Sequence, residues 1–137
     1  MKPFKLSIYA SDKIFFEGEV SSVILPIWDG QYGIQSNHTN VVSAVVPGVM
    51  KYTLTDGEEK YAAISGGLVK VENGDALVLS ETVESPEEID ENRAKAELER
   101  AREALIHKQS IRDYKNAETK IAKALSRLRA KHSGRYD

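Results

Sequence analysis

The chain has 137 residues, 41% of them hydrophobic and 29% charged, with 19 Lys and Arg against 21 Asp and Glu and a formal net charge of −2. That length holds one ordinary domain, or a small domain with an appendage, and the apolar share can bury a core. Cysteine is absent, which excludes disulfides and thiolate chemistry and fits a reducing compartment. No apolar run approaches the roughly 20 residues that span a bilayer. Met1-Lys2-Pro3-Phe4-Lys5 lacks the apolar core of a signal peptide, so any membrane association is expected to run through a partner.

Phe4, Leu6 and Ile8 alternate with Lys5 and Ser7, the period of a strand. Asp12-Lys13 reads as a turn, Ile14-Phe15-Phe16 as the start of a second strand, and Val20 to Leu25 as a third. Trp28-Asp29-Gly30 and Tyr32-Gly33 break the pattern into a loop. Val41 to Val46, Val49 to Leu54, Tyr61 to Ile64, Leu68 to Val71 and Ala76 to Leu79 read as further strands. Asp56-Gly57 and Asn73-Gly74 are tight-hairpin signals, because both residues of such a turn tolerate positive φ. Short strands with turns about every 8–12 residues predict a sandwich or barrel.

The character of the chain changes at Ser85-Pro86-Glu87-Glu88. Beyond it no glycine occurs until Gly134, and Ala, Glu, Lys, Arg and Leu dominate. Ser85, Pro86 and Glu88 predict a helix start with a capping box. Ala94, Leu98, Ala101 and Leu105 recur at helical spacing. Glu91 stands one turn before Lys95, a favourable pair. The polar interval from His107 to Asp113 breaks the pattern, and Tyr114, Ala117, Ile121, Leu125 and Leu128 form a second seam. The reading is a β-domain over 1–84 followed by an antiparallel helical hairpin over 85–137. The seams are thin and alanine-rich, so the hairpin should dock on something and has more than one way to do so.

Charge is uneven along the chain. Up to Pro86, six lysines face eleven carboxylates, a formal −5. From Lys108 onward, nine Lys and Arg face three carboxylates, a formal +6. A basic terminal segment seeks an acidic partner, either nucleic acid or an acidic protein surface. A stand-alone nucleic-acid-binding module is therefore one functional expectation, although the strands lack a row of stacking aromatics. Catalysis is not expected, since no nucleophile stands with a base. His38 has no second histidine nearby and predicts no metal site. Ser65-Gly66-Gly67 lies between two strands and lacks the lysine and the helix of a phosphate loop.

The run from Leu25 to His38, with Asp29-Gly30, Gly33-Ile34 and His38 in register, resembles the DGxxGIxxxH loop of a known family. Pro47-Gly48, Ile64-Ser65-Gly66-Gly67-Leu68-Val69-Lys70-Val71, and Tyr114, Ala117, Ala124 and Arg127-Leu128 are similar to that family in place and spacing. The family is the epsilon subunit of the bacterial rotary (F-type) ATP synthase. The chain departs from it at Gln31 and Ser36, where many members carry an acid and a proline. The resemblance implies a ten-stranded β-sandwich followed by a helical hairpin. It implies a non-catalytic central-stalk subunit at the cytoplasmic face of the bacterial membrane, bound to the gamma subunit and the c-subunit ring and requiring no cofactor or metal. Asp29, Gln31 and His38 are then the expected stalk and ring contacts. The family's hairpin either folds down on the sandwich or extends toward the catalytic beta and alpha subunits and inhibits ATP hydrolysis. The basic residues Lys123, Arg127 and Arg129 would meet an acidic segment there.

Ile89-Asp90-Glu91-Asn92-Arg93-Ala94 resembles the motif of epsilon subunits that bind ATP as a regulatory ligand. The resemblance carries over Glu84, Ile89, Asp90, Arg93, Arg100, Lys123 and Arg127 as the ATP-binding set. Arg93 and Arg100 share a helix face and offer forked donors to phosphate. Lys123 stands where arginine is usual. At about 100° per residue, Lys123 and Arg127 fall about 200–240° from Ile121, off the apolar seam.

Overall fold

In the computed structural model, which describes residues 2–106 and 111–133, nine strands precede a 3₁₀ turn and two helices. The strands are β1 (Phe4–Tyr9), β2 (Ile14–Ile27), β3 (Gly30–Ile34), β4 (Val41–Val45), β5 (Gly48–Leu54), β6 (Glu59–Ile64), β7 (Gly67–Glu72), β8 (Asp75–Ser80) and β9 (Val83–Glu84). Pro86–Glu88 form the 3₁₀ turn, and α1 (Glu91–Ile106) and α2 (Ile111–Ser133) follow. Nine strands are described where the resemblance implied ten, and the segments around Phe15 and Val23, expected as two strands, are one. No turn residue separates them. Gly18 lies inside the β1–β2 pairing, opposite Leu6, in extended backbone.

β2 organises the sandwich. Its first half pairs antiparallel with β1, and its second half pairs with both β3 and β5. The strand order is β4-β7-β8-β1-β2-β5-β6-β9, with β3 added on β2. A register shift between Val20 and Ser22 lies where β2 passes from β1 to β5. Strands that switch layers do so at such irregularities. Leu6, Ile8, Val69 and Val78 from one side meet Val23, Leu25, Met50 and Ile64 from the other, all essentially inaccessible to solvent. β1 pairs β8 in parallel; every other pairing is antiparallel.

The turns test the local chemistry. Asn73 and Gly74 have φ of 53° and 85° and close a two-residue hairpin between Glu72 and Asp75, as expected. Asp56-Gly57 behaves differently. Only Gly57 has positive φ, and Asp56 accepts the Glu58 N–H at 2.9 Å, giving a longer loop. The side chain competes for a backbone donor and stretches the turn. The loop expected over Trp28–Gly33 shrinks to a turn at Trp28-Asp29. Gln31, Tyr32 and Gly33 belong to β3 and pair with Pro26, Leu25 and Ile24.

The hairpin lies on β5 and β6 through α2, and α1 packs on α2. Ala130 of α2, Ala63 of β6 and Ile89 form a small buried cluster, with Val49 against it. Ser126 is buried and donates its hydroxyl to the Gly48 carbonyl at 2.5 Å. Ala94, Leu98 and Ala101 of α1 are buried. In α2 the buried positions are Ala117, Ala124, Ser126 and Ala130, whereas Ile121, Leu125 and Leu128 are half-buried. The interface is made of small side chains because two faces of α2 must approach backbone closely. Of the expected break between the helices, residues 107–110 lie outside the described residues, and Arg112 and Asp113 are already helical.

Gly67 begins β7 opposite Ser80, and a Cβ there would collide with the Leu79 carbonyl oxygen. Gly33 has open space at the same position of its own Cβ. Gly67→Ala should therefore destabilise the sandwich by about 1–3 kcal/mol or more, as overpacking does. Gly33→Ala should change stability by less than about 0.5 kcal/mol, as an exposed surface change. Thermal unfolding of the two variants checks the difference.

Candidate functional site

The chain leaves β9 at Glu84 and reaches α1 through six residues that hold the hairpin against the sandwich. The Ser85 hydroxyl does not cap a backbone N–H. It donates to the Glu88 carboxylate at 3.0 Å, and the Glu88 N–H donates to the Ser85 carbonyl at 3.0 Å. Pro86 then closes a single 3₁₀ turn, not the start of α1. The cap of α1 is Asp90, whose Oδ1 accepts the Arg93 N–H at 3.1 Å. Aspartate satisfies a free helix donor and suits the positive helix end. Ile89 is buried against Ala63 and Ala130. The Ile89–Ala94 motif thus has structural duties of its own.

Asp90, Arg93 and Glu97 follow one edge of α1, and Arg93 Nε lies 3.2 Å from Glu97 Oε1, one turn on. Arg127 of α2 closes the arrangement. Its Nε donates to Glu84 Oε1 at 2.7 Å and its Nη1 to Glu97 Oε2 at 2.6 Å. All three side chains are only about a quarter exposed. The expected placement of Arg127 off the seam is corrected here. Ala117 and Ala124 face α1, and Ser126 and Ala130 face the sandwich. On a helical wheel Arg127 lies between these two faces and points into the wedge where Glu84 and Glu97 stand.

Two clefts flank this bridge. The first, of about 440 Å³, is lined by Glu84, Ile89, Asp90, Arg93, Glu97 and Arg127, together with Asp12, Lys13, Glu81 and Glu88. Its ionisable lining is six carboxylates against three cations. The second, of about 380 Å³, lies between the helices and is lined by Arg100, Lys120, Lys123, Arg127, Glu97 and two alanines. The seven residues expected to bind ATP therefore gather around one bridge but divide between two clefts, and Arg127 alone among them touches both. Glu97 and Lys120 belong to the site and were not expected there. Each stands one turn from an expected residue, Arg93 or Lys123, which was the available signal.

The other expected sites separate. Asp29 and Gln31 are exposed on the β2–β3 hairpin. His38 is occupied internally: its Nδ1–H donates to the Thr39 carbonyl at 2.7 Å, and its Nε2 is hydrogen-bonded with the Tyr32 hydroxyl at 2.8 Å. Trp28, 92% exposed at the tip of the same hairpin, is the side chain that the sequence reading passed over as part of a loop. Of Lys123, Arg127 and Arg129, the first two stand one turn apart and both line the second cleft, with Arg127 paired to carboxylates, whereas Arg129 is exposed on another face. Among the described residues no group of three or more His, Cys, Asp or Glu gathers as for a metal ion.

Lys13 joins the sandwich to the linker through Glu88, at 2.7 Å. The Lys13 hydrogen bond, with that from Ser85, holds the Glu88 carboxyl below its usual 4.5. Lys95, followed by His132, does the same for Glu91. A carboxylate with a lowered folded-state pKa contributes stability above its unfolded value and loses it as pH falls through the folded one. Docking of the hairpin should therefore weaken as pH drops below about 4.5, less so at high salt, where the exposed Lys13–Glu88 pair is screened. Amide exchange in α1 and α2 across pH 3–7 measures this. Arg127→Ala removes the guanidinium shared by Glu84 and Glu97. It should loosen both helices by about 2 kcal/mol while leaving exchange in β1, β7 and β8 unchanged. Arg93→Ala, at a side chain 78% exposed, should have little effect on the same readout.

Residues 3–86 match the family model of the ATP synthase delta/epsilon chain beta-sandwich domain, and residues 87–132 match that of its long alpha-helix domain. The chain is 38% identical to the ATP synthase epsilon chain of Clostridium novyi, covering 93% of this chain and 96% of that one. It is 36% identical to that of Caldicellulosiruptor bescii, covering 94% and 93%. It shares its fold with a chain in the cryo-EM structure of the Euglena gracilis mitochondrial ATP synthase (OSCP, F1 and c-ring), with a TM-score of 0.79 at 20% identity, covering 98% of this chain and 82% of that one. A chain of the Tetrahymena thermophila mitochondrial ATP synthase central stalk and c-ring gives 0.64 at 14%, covering 95% and 97%. With both domains matched in order along nearly the whole length, the chain belongs to the epsilon-chain family of the ATP synthases.

Proposed function

We propose that this epsilon chain works in the central stalk of a bacterial ATP synthase as a non-catalytic subunit at the cytoplasmic face of the membrane. Its sandwich binds the gamma subunit and the c-subunit ring, and its hairpin restrains ATP hydrolysis. The observation that supports the regulatory reading best is the way the hairpin is held. A helix pair with a hydrophobic core could not leave the sandwich at modest cost. This one rests on Ala130, Ser126 and Ile89 and is tied by ion pairs of Arg127 and Lys13. Small side chains bury little apolar area, at roughly 25 cal/mol per Å². Docked and extended states then differ by few kcal/mol, the range in which a partner or ligand shifts the population.

On this reading Trp28, Asp29 and Gln31 form the tip that touches the stalk and ring. The outward apolar residues Val42, Leu68 and Leu79 of β4, β7 and β8 give gamma a surface to bury. When the hairpin extends toward the beta and alpha subunits, Lys123, Arg127 and Arg129 are released together to meet acidic protein. ATP, seated by Glu84, Ile89, Asp90, Arg93, Arg100, Lys123 and Arg127, favours the docked state, because those residues adjoin only there.

The reading is tested by reconstituting a cognate complex with the full chain and with a chain ending at Glu84. Both should bind gamma on size exclusion, and the shortened chain should leave hydrolysis faster by several-fold. Failure of both chains to bind gamma would remove the stalk reading. Unchanged hydrolysis would remove the inhibitory one.

A further inference from the structure

The two clefts at the hairpin seam differ in charge. The first carries twice as many carboxylates as cations, an unfavourable seat for a polyphosphate. The second gathers Arg100, Lys120, Lys123 and Arg127, and among the described residues lining it Glu97 is the one carboxylate. That carboxylate is placed against the guanidinium: Glu97 Oε2 is 2.6 Å from Arg127 Nη1, and its other oxygen is 3.2 Å from Arg93 Nε. It therefore pairs with Arg127, which lines both clefts, and with Arg93, which lines the first. Glu97 lines both clefts.

We infer that Glu97 is a built-in competitor of ligand phosphate, a carboxylate that holds Arg127 in the docked hairpin and must yield it when a polyphosphate enters the Arg100–Lys120–Lys123 cleft. This rests on the nucleotide part of the proposed function and deepens it. The polyphosphate seat is the second cleft, with Lys120 as an added cation, and the base and sugar lie toward Ile89 and Asp90 in the first. A carboxylate and a phosphate both fit the forked donors of arginine, so they exchange on the same N–H groups. The exchange makes the affinity weaker than the cation set alone would give, which keeps the site responsive to changes in ligand supply instead of permanently filled.

The test uses the full chain and calorimetry with ATP, inorganic tripolyphosphate and adenosine at fixed ionic strength. Glu97→Gln keeps the shape and the accepting oxygen while removing the charge. It should tighten ATP and tripolyphosphate about tenfold, the effect of deleting one like charge a few ångströms from the phosphate, and leave adenosine unchanged. Lys120→Gln should weaken both phosphate ligands. Glu99→Gln, at an exposed position on the same helix, should change nothing and controls for net charge. Circular dichroism monitors the helices; should Glu97→Gln lower helicity, the exposed Lys120→Gln decides. The inference is overturned if wild type binds ATP or tripolyphosphate and Glu97→Gln binds it no tighter, if Glu99→Gln tightens it equally, or if Lys120→Gln leaves it unchanged. If neither wild type nor Glu97→Gln binds either phosphate ligand, the inference and the nucleotide reading fall together. Tripolyphosphate binding that follows the predicted pattern without any for ATP supports the phosphate seat and removes the nucleotide.

Discussion

Arg127 is the side chain on which the two halves of this molecule depend for their registration. It leaves the second helix, meets a carboxylate from the last strand and another from the first helix, and does so at about one-quarter exposure. Removing one partner of an ion pair at that depth costs more than on an open surface, because it leaves the other charge partly desolvated and unpaired. The neighbouring contacts are small: alanines, one serine hydroxyl on a backbone carbonyl, and one isoleucine. Apolar packing brings the hairpin to the sandwich, and the shared guanidinium sets the angle at which it lies. A structure held this way has its specificity in charge and its strength in very little area.

Much of this was legible in the residues, and the failures have identifiable causes. Asn73-Gly74 behaves as its local chemistry dictates because nothing else claims those side chains. Asp56-Gly57 does not, because Asp56 finds the Glu58 N–H. Two strands were expected where β2 runs unbroken, because the alternation lapses across Glu17-Gly18-Glu19, which the pairing with Ser7, Leu6 and Lys5 of β1 nevertheless carries through. The linker was legible as a boundary but not in detail: the serine and proline make a 3₁₀ turn, and the aspartate five residues after Ser85 caps the helix. Arg127 was misjudged because Ile121 served as the reference for the buried face. The face is set by Ala117 and Ala124, small residues whose importance comes from close approach, which apolar volume cannot reveal.

The basic character of the last segment invited a reading as a nucleic-acid surface. The three-dimensional arrangement does not favour that. Arg127 turns inward to two carboxylates, Lys131 Nζ donates to the Pro86 carbonyl at 2.9 Å, and His132 Nε2 lies 2.9 Å from Glu91. These side chains are spent within the molecule while the hairpin is docked, and Arg129 faces solvent on another side. Phosphate backbones are read by cations aligned along one accessible face. In the docked hairpin, then, the basic residues of α2 offer no such continuous face.

The parallel pairing of β1 with β8 brings Leu6 beside Ala76 and Tyr9 beside Leu79. A contact between residues so distant in sequence cannot form until most of the sandwich has been synthesised, and contacts of this kind slow folding. Leu79 precedes both helices in the chain, so it leaves the ribosome before they do. Synthesis therefore imposes an order: the sheet closes first, and the helices arrive at a finished surface. A hairpin added last to a completed support can also be the first part to come away without unfolding what it leaves.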